Sequence, residues 1–495
     1  MERPRTGTVK IAIAAGVALF LAGCSEDKGP AVSSSPDQAW GPGGQGGNNF
    51  AVSGEIGTPS PDELVRSGKA LDLQQLIDLG QRSHPATRIA WEEARQAAAA
   101  QGMVEGTFLP LITANVIGGY QDLVTPITNL QGGTDYISTH SNAVVPNIAL
   151  QWLLFDFGER QAWRTAAKQN AFAANVAFNG THQTLIYNIS RAYYEYGAAQ
   201  QNLSIAGQNL SNSQKLLEAA ETRYANGLGT SIEVAQAKQI VAQARFRLVA
   251  ARDGESDSYQ DLLGAVGVSP RSQLKVDNSA ARRLPRARAL PTDQLIEQAL
   301  SRRPDVLASY AGVKASEANE VAAEAAFRPK VYLGAVAAAN NGQIQTGTLP
   351  GAEFQSTTTG VVVGASIPIY DGRIRENRRK QAQAATAAAS AAHEQTVNAA
   401  TREIIVASNS LQSSLASYEA ATALRAAAQT TYDAAFEAYG NGLGTLTDVS
   451  AAENGLLDAR LAQVDAHTAA LIAASTLAFS LGNMTSRASP ARAIQ

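Results

Sequence analysis

The chain is one unit written twice, and this duplication limits its fold more than any other feature of its 495 residues. Tyr224-Ala225-Asn226-Gly227-Leu228-Gly229-Thr230 returns 215 positions later as Tyr439-Gly440-Asn441-Gly442-Leu443-Gly444-Thr445. Phe155-Asp156 is answered at the same offset by Tyr370-Asp371. Phe108-Leu109-Pro110 matches Phe327-Arg328-Pro329, and His84-Pro85 matches Arg303-Pro304, both at an offset of 219. The change of offset falls between strand-like segments, where a loop absorbs it. Solenoid units repeat every 20–50 residues or so, which makes this a duplicated domain instead.

Both copies read in the same order. Proline disfavours helix in the residue before it, so a short helix ends at His84-Pro85 in one copy and at Arg303-Pro304 in the other. A second helix runs to Phe108 or Phe327, and two strand-like runs then flank a polar loop. A long helix, the Asn-Gly-Leu-Gly-Thr turn and a return helix complete the unit. Repeat 1 spans 69–264, with strands near 108–119 and 143–155, a long helix over 158–224 and a return helix over 231–264. Repeat 2 spans 292–484, with strands near 329–340 and 358–370, a long helix over 373–438 and a return helix over 446–482. A tail, 485–495, follows. Residues 265–291 join the copies, and their Arg282, Arg283, Arg286 and Arg288 read as a solvated linker ahead of a binding patch.

The long helices carry a seven-residue period. Ile189, Tyr196, Leu203, Leu210, Leu217 and Tyr224 recur with Ala192, Ala199, Ala206, Ser213 and Ala220 three places on. Copy two repeats this with Ile404, Leu411, Tyr418, Tyr432 and Tyr439, broken at Arg425, and with Ala407, Ser414, Ala421, Ala428 and Ala435. The return helices place Ala237, Ala244 and Ala251, then Ala452, Ala459, Ala466 and Ala473, on one stripe. Such a period predicts left-handed coiled-coil packing with close approach at alanine. A helix over 158–224 would be about 100 Å long at 1.5 Å per residue, which suits a rod or a tunnel wall.

The strands alternate. Val144, Pro146, Ile148, Leu150, Trp152 and Leu154 share one face, opposite Asn147, Ala149 and Gln151. Val361, Val363, Ala365, Ile367 and Ile369 stand against Gly364 and Ser366. This is the pattern of a membrane barrel strand, and equally of a soluble sheet covered on one side. Helices of this length offer such a sheet no obvious cover. Four strands cannot close a barrel, whereas three chains would supply twelve. Residues 120–142 and 341–357 would then be extracellular loops.

The amino terminus supplies an address. Arg3, Arg5 and Lys10 precede the apolar run 11–21, and Leu21-Ala22-Gly23-Cys24 follows. This reads as a signal peptide, 1–23, ending in what looks like a bacterial lipobox, with lipid on Cys24. An ordinary signal peptide with a chance cysteine is the competing reading. Residues 24–68, rich in Ser, Pro and Gly, read as a flexible tether. Cys24 is the single cysteine, and the five histidines lie at least 42 residues apart, so no local metal motif exists. With 40 Lys and Arg against 43 Asp and Glu, no excess of cations is available to neutralise a nucleic acid.

The lipobox, the duplicated strand pair with its helical hairpin, and the Gly-Leu-Gly-Thr turn before an acidic-Val pair together resemble the outer-membrane efflux proteins, the TolC family. The resemblance covers nearly all of residues 70–484. It implies a mixed α/β membrane protein, a homotrimer whose 12-stranded β-barrel continues into an α-helical periplasmic tunnel. It implies a passive exit duct without enzymatic chemistry, metal or cofactor, in the outer membrane of a Gram-negative bacterium. Its partners would be outer-membrane lipid, a periplasmic adaptor and an inner-membrane transporter of RND or ABC type. The alternative is a lipid-anchored periplasmic coiled-coil adaptor.

The resemblance also implies sites. Asp448 stands at the position of an acidic residue that rings the periplasmic entrance, and Glu233 is its equivalent in copy one. An acid in the first turn of a helix is equally a capping residue. Where some members have a second acid this chain has Ala451, which speaks against a double ring, and where some have a latching Arg it has Gly444, so the entrance would be closed by fewer or different contacts. Asn226, Gly227, Leu228, Gly229 and Thr230, with Asn441, Gly442, Leu443, Gly444 and Thr445, would meet the adaptor. Tyr193, Tyr194 and Tyr196 read as packing residues. Arg373, Arg375, Arg378, Arg379 and Lys380 read as a membrane-interface or solvated face and are assigned no site.

Overall fold

The computed structural model describes residues 32–33, 35–41, 70–129, 131–277, 282–285 and 292–484. Cys24, the leader, the tail and most of the tether lie outside the described residues. In chain order the elements are β1 (Ala70–Leu71), α1 (Leu73–Ser83), α2 (Pro85–Gly106), β2 (Leu111–Thr128), β3 (Thr134–Phe155), α3 (Glu159–Ala225) and α4 (Ser231–Val266). Then come β4 (Lys275–Val276), α5 (Asp293–Leu300), α6 (Pro304–Ala325), β5 (Lys330–Thr346), β6 (Ala352–Ser366), α7 (Ile374–Gly440) and α8 (Leu446–Ser480). Among the described residues no helix is long and apolar enough to cross a membrane.

The prolines act as predicted. His84 caps α1 and opens α2, its Nδ1 accepting from the Ala86 amide at 3.1 Å, and Pro85 takes the first helical position, where a missing N–H costs nothing. In copy two Pro304 likewise takes the first position of α6, but its N-cap Arg303 makes no side-chain capping bond and α5 is already capped at Ser301.

The large sheet is antiparallel throughout, in the order β2-β3-β5-β6. Its register aligns the alternating faces of the two copies. Ile112, Leu150, Ala335 and Val361 pair in one row, and Trp152, Leu333 and Val363 in another. Paired residues share a face, so the apolar faces of both copies fall on one side of one sheet. The opposite face carries the row Asn115, Asn147, Ala338 and Thr358, with Asn115 donating to Asn147 Oδ1 at 3.2 Å.

The strands run further than the apolar pattern indicates. Most of 120–142 and 341–357 is paired strand, not loop: β2 runs to Thr128 and β3 starts at Thr134, and β5 runs to Thr346 and β6 starts at Ala352. Beyond the apolar rows lie polar ones such as Tyr120, Asn142, Gln343 and Glu353. Pairing needs backbone groups, not apolar side chains, so hydropathy marks only part of each strand.

The 67-residue helices α3 and α7 run the whole length of the helical wall. Near the sheet the helices stand side by side as α2, α3, α6 and α7; at the far end the order is α4, α3, α8 and α7. The alanine stripe is real: Ala220, Ala237 and Ala459 have no exposed surface. The large heptad residues are less uniform, because Leu216 rather than Leu217 is fully buried and Tyr224 is 53% exposed.

The main core lies midway along the wall, where α1, α3, α4, α7 and α8 meet around Leu76, Phe178, Ile186, Ile189, Leu262, Ile404 and Leu477. Two segments read as loose connections pack here. Within the tether, Trp40 is buried, its backbone N–H donates to Asn179 Oδ1 at 3.1 Å, and Asn179 Nδ2 returns a bond to the Trp40 carbonyl at 3.0 Å. His182 Nε2 donates to the Pro36 carbonyl at 2.8 Å, and Trp91 Nε1 to that of Ser33 at 2.8 Å. Within the linker, β4 pairs parallel with β1. The Arg282 guanidinium lies over the Tyr193 ring at 5.6 Å and its carbonyl accepts from His467 at 3.0 Å, so Arg282 is docked rather than solvated. Buried apolar and amide contacts at a few positions are enough to fix a chain of otherwise loop-like composition.

The joint between sheet and helix is built twice from the same parts. Arg160 donates to Asp156 Oδ2 at 2.8 Å and to the Thr107 carbonyl at 2.9 Å, with its guanidinium 4.7 Å from the Phe108 ring centroid. Arg375 bonds Asp371 Oδ2 at 2.7 Å and lies 5.1 Å from the Phe327 ring. Hence Arg375 is paired, and the basic run 373–380 is more than a solvated face.

Candidate functional site

The two repeated turns lie at the end of the wall remote from the sheet, where α3 meets α4 and α7 meets α8. Each helix ends in a left-handed glycine: Gly227 has φ +70° and Gly442 +75°. The Leu228 amide donates to the Arg223 carbonyl at 2.8 Å and the Gly227 amide to that of Tyr224 at 3.0 Å. Leu443 and Gly442 repeat both bonds, to Ala438 and Tyr439. Both turns are therefore Schellman motifs, which satisfy carbonyls a helix end otherwise leaves bare.

The return helices start with capping boxes. Thr230 Oγ1 accepts from the Glu233 amide at 3.2 Å while Glu233 Oε2 accepts from the Thr230 amide at 3.2 Å. Thr445 Oγ1 accepts from the Asp448 amide at 3.2 Å, and Asp448 Oδ2 accepts from the Thr445 amide at 3.0 Å and hydroxyl at 2.7 Å. Bonds from the Thr445 side chain and backbone hold the Asp448 carboxyl below the usual carboxylate range. Both acids are thus helix caps; Asp448 remains exposed and Glu233 is half-buried. Between cap and Schellman motif each turn projects a bare leucine: Leu228 is 70% and Leu443 85% exposed.

Sequence reasoning missed Arg223, which stands where copy two has Ala438. It bridges the hairpins, donating to the Tyr439 carbonyl at 2.7 Å and the Leu228 carbonyl at 3.2 Å, with its guanidinium 4.8 Å from the Tyr439 ring. The tips are therefore tied by a contact the absent family arginine does not supply. The signal available was a cation directly before the matched turn segment 224–230, where copy two has the uncharged Ala438 before 439–445. Among the described residues no His, Cys, Asp and Glu cluster could hold a metal ion.

The family model described as outer membrane efflux protein matches residues 72–268 and 295–483. The chain belongs to the outer membrane efflux protein family. It is 27% identical over 376 residues to outer membrane efflux protein BepC of Brucella suis, covering 74% of this chain and 78% of that protein. It is 28% identical over 191 residues to the probable outer membrane lipoprotein SilC of Salmonella typhimurium, covering 38% of this chain and 40% of that one. Crystal structures of CusC share the fold at a TM-score of 0.70 and 19% identity, over 93% of this chain and 100% of that chain. The family match sets aside the adaptor reading, which also has no place for a four-stranded sheet with one apolar face.

Proposed function

We propose that three copies close head to tail into one duct that carries solutes across the outer membrane and performs no bond chemistry. The observation that carries this is the pair of open edges on β2 and β6, bounding a sheet with one apolar face. Unpaired strand edges are not tolerated in lipid. Joining β6 of one copy to β2 of the next in a three-membered ring gives twelve strands, an even number within the known range. The helical wall has matching margins, with α7 on one side and α2 and α4 on the other. Few residues of α7 are buried, among them Ile404, Leu411 and Tyr439, in keeping with a neighbour on its free side.

On this reading lipid on Cys24 anchors the chain in the membrane. Asp448 and Glu233 line the periplasmic entrance, and the turns 226–230 and 441–445 receive the adaptor of an inner-membrane transporter. Leu228 and Leu443 give that contact apolar anchors, and the caps hold them in place. The test is the mass of the detergent-extracted protein by light scattering. Three protomers per particle are expected. A monomer that stays soluble after its lipid is removed would overturn the reading.

A further inference from the structure

The apolar core of the four-helix end contains a carboxylic acid. Glu453 sits on α8 between Val449 and Leu456, only 3% exposed, among the residues of the apolar cluster that also holds Leu216, Ala220, Tyr432 and Leu446. Its Oε1 accepts from Asn209 Nδ2 at 2.9 Å and from Ser213 Oγ at 3.1 Å, both on α3 of the other repeat. It forms no ion pair within 4 Å among the described residues. The charged and titratable groups facing it are Arg247 on α4, engaged by Asn454 Oδ1 at 3.1 Å, and Tyr432 on α7. α3 presents Asn209 and Ser213, neither of which titrates.

A second observation points to a proton. Asn209 Oδ1 is buried without a hydrogen-bond partner, although its own Nδ2 bonds Glu453. A carboxylate can only accept, and leaves that oxygen orphaned. A neutral carboxylic acid can accept from Nδ2 and donate to Oδ1, the reciprocal pairing of an acid with an amide. We propose that Glu453 is a proton-binding site that ties the α7–α8 hairpin to the α3–α4 hairpin when neutral and loosens it when ionised.

Burial raises the Glu453 carboxyl above its ordinary range, against the opposing pull of Ser213, Asn209 and Arg247. A pKa higher in the packed seam than in the separated one makes protonation and packing support each other. The seam is then firmest at acidic pH and weakens as pH rises through the raised pKa, by at most about tenfold per pH unit in its opening equilibrium.

Hydrogen exchange of the full-length protein in detergent, corrected for intrinsic rates, tests this between about pH 5 and pH 8. Protection of 205–217 and 448–460 is expected to fall with pH in the native chain and to stay constant in Glu453→Gln. The glutamine is isosteric, and its amide can both accept from Nδ2 and donate to Oδ1. In parallel, the infrared band of a protonated carboxyl is expected in the native protein and lost in Glu453→Gln. The same pH response in both proteins, no response in the native chain, or no such band, would overturn the proposal. These readouts do not depend on transport, so they are separable from the fate of the channel reading.

Discussion

The Arg223 guanidinium lies 4.8 Å from the centroid of the Tyr439 ring and donates to the Tyr439 carbonyl at 2.7 Å, so one side chain of the first repeat holds the last turn of α7 in the second. Arg223→Ala is expected to loosen the two tips by about 1–2 kcal/mol, a charge-assisted bond discounted for partial exposure. Arg223→Lys would recover only part, because an ammonium cannot reproduce the fork that reaches two carbonyls. Exchange of the 436–446 amides measures this. An unchanged rate in Arg223→Ala would mean that the hairpins are held elsewhere.

Asp448→Asn separates the capping role from the entrance role. Asparagine keeps an acceptor for the Thr445 amide, so helix content should hold. Cation preference should fall if three Asp448 carboxylates meet in a narrow passage. The reversal potential across a salt gradient in a planar bilayer decides between them, and an unchanged value would leave Asp448 as a cap alone.

His182 makes the docked segment 35–41 sensitive to acid. Its ring is fully buried, Nε2 donates to Pro36 and Nδ1 faces Gln81 Nε2 at 3.4 Å. Desolvation lowers its pKa to about 4, opposed by the Pro36 bond and the Asp37 charge. A histidine buried neutral loses stability as pH falls below its free value of about 6.5, by about a factor of ten per unit until the lowered pKa is reached. The buried Trp40, edge-on to Phe172 at 5.4 Å, should report release of the segment by fluorescence between those two pH values. His182→Phe is expected to flatten that response.

The joint at Asp156 and Arg160 is predicted to be the stronger of the two copies. Side-chain exposures are 8% and 5% there, against 27% and 11% for Asp371 and Arg375. Removing one partner of a buried pair costs about 3–5 kcal/mol, so Arg160→Ala should lower thermal stability more than Arg375→Ala. Burial alone would raise the Asp156 carboxyl, but its bonds from Arg160 and Gly158 hold it below the usual range. Its contribution is therefore present at neutral pH and lost as pH falls through that lowered value. Equal melting shifts in the two variants would contradict the ranking.

Gly342 tests the sheet register. A Cβ there would collide with the Asn142 carbonyl and come within 2.9 Å of Phe354, whereas one at Gly334 meets nothing closer than 4.0 Å. Gly342→Ala should cost about 1–3 kcal/mol, as overpacking does. Gly334→Ala should be near neutral. The folded fraction in a gel-shift assay measures both.

Much of this architecture is local, and so was legible. Helix ends follow Pro85, Pro304, Gly227 and Gly442, because proline and left-handed glycine act through their own backbones. The two long helices end within two residues of their predicted bounds. The turns and caps at the tips were equally readable, since Thr230 with Glu233 and Thr445 with Asp448 are only three residues apart. What the chain says only when folded lies between distant residues. The docking of Trp40 on Asn179, the bridge from Arg223 to Tyr439 and the burial of Glu453 against Asn209 each join positions 139 or more apart. No periodicity encodes them. The apolar alternation of β3 and β6 is a property of each strand alone, whereas the register that aligns both faces on one sheet belongs to the hydrogen bonds between them. Local preference chose the elements; burial and pairing across the duplication decided which residues meet.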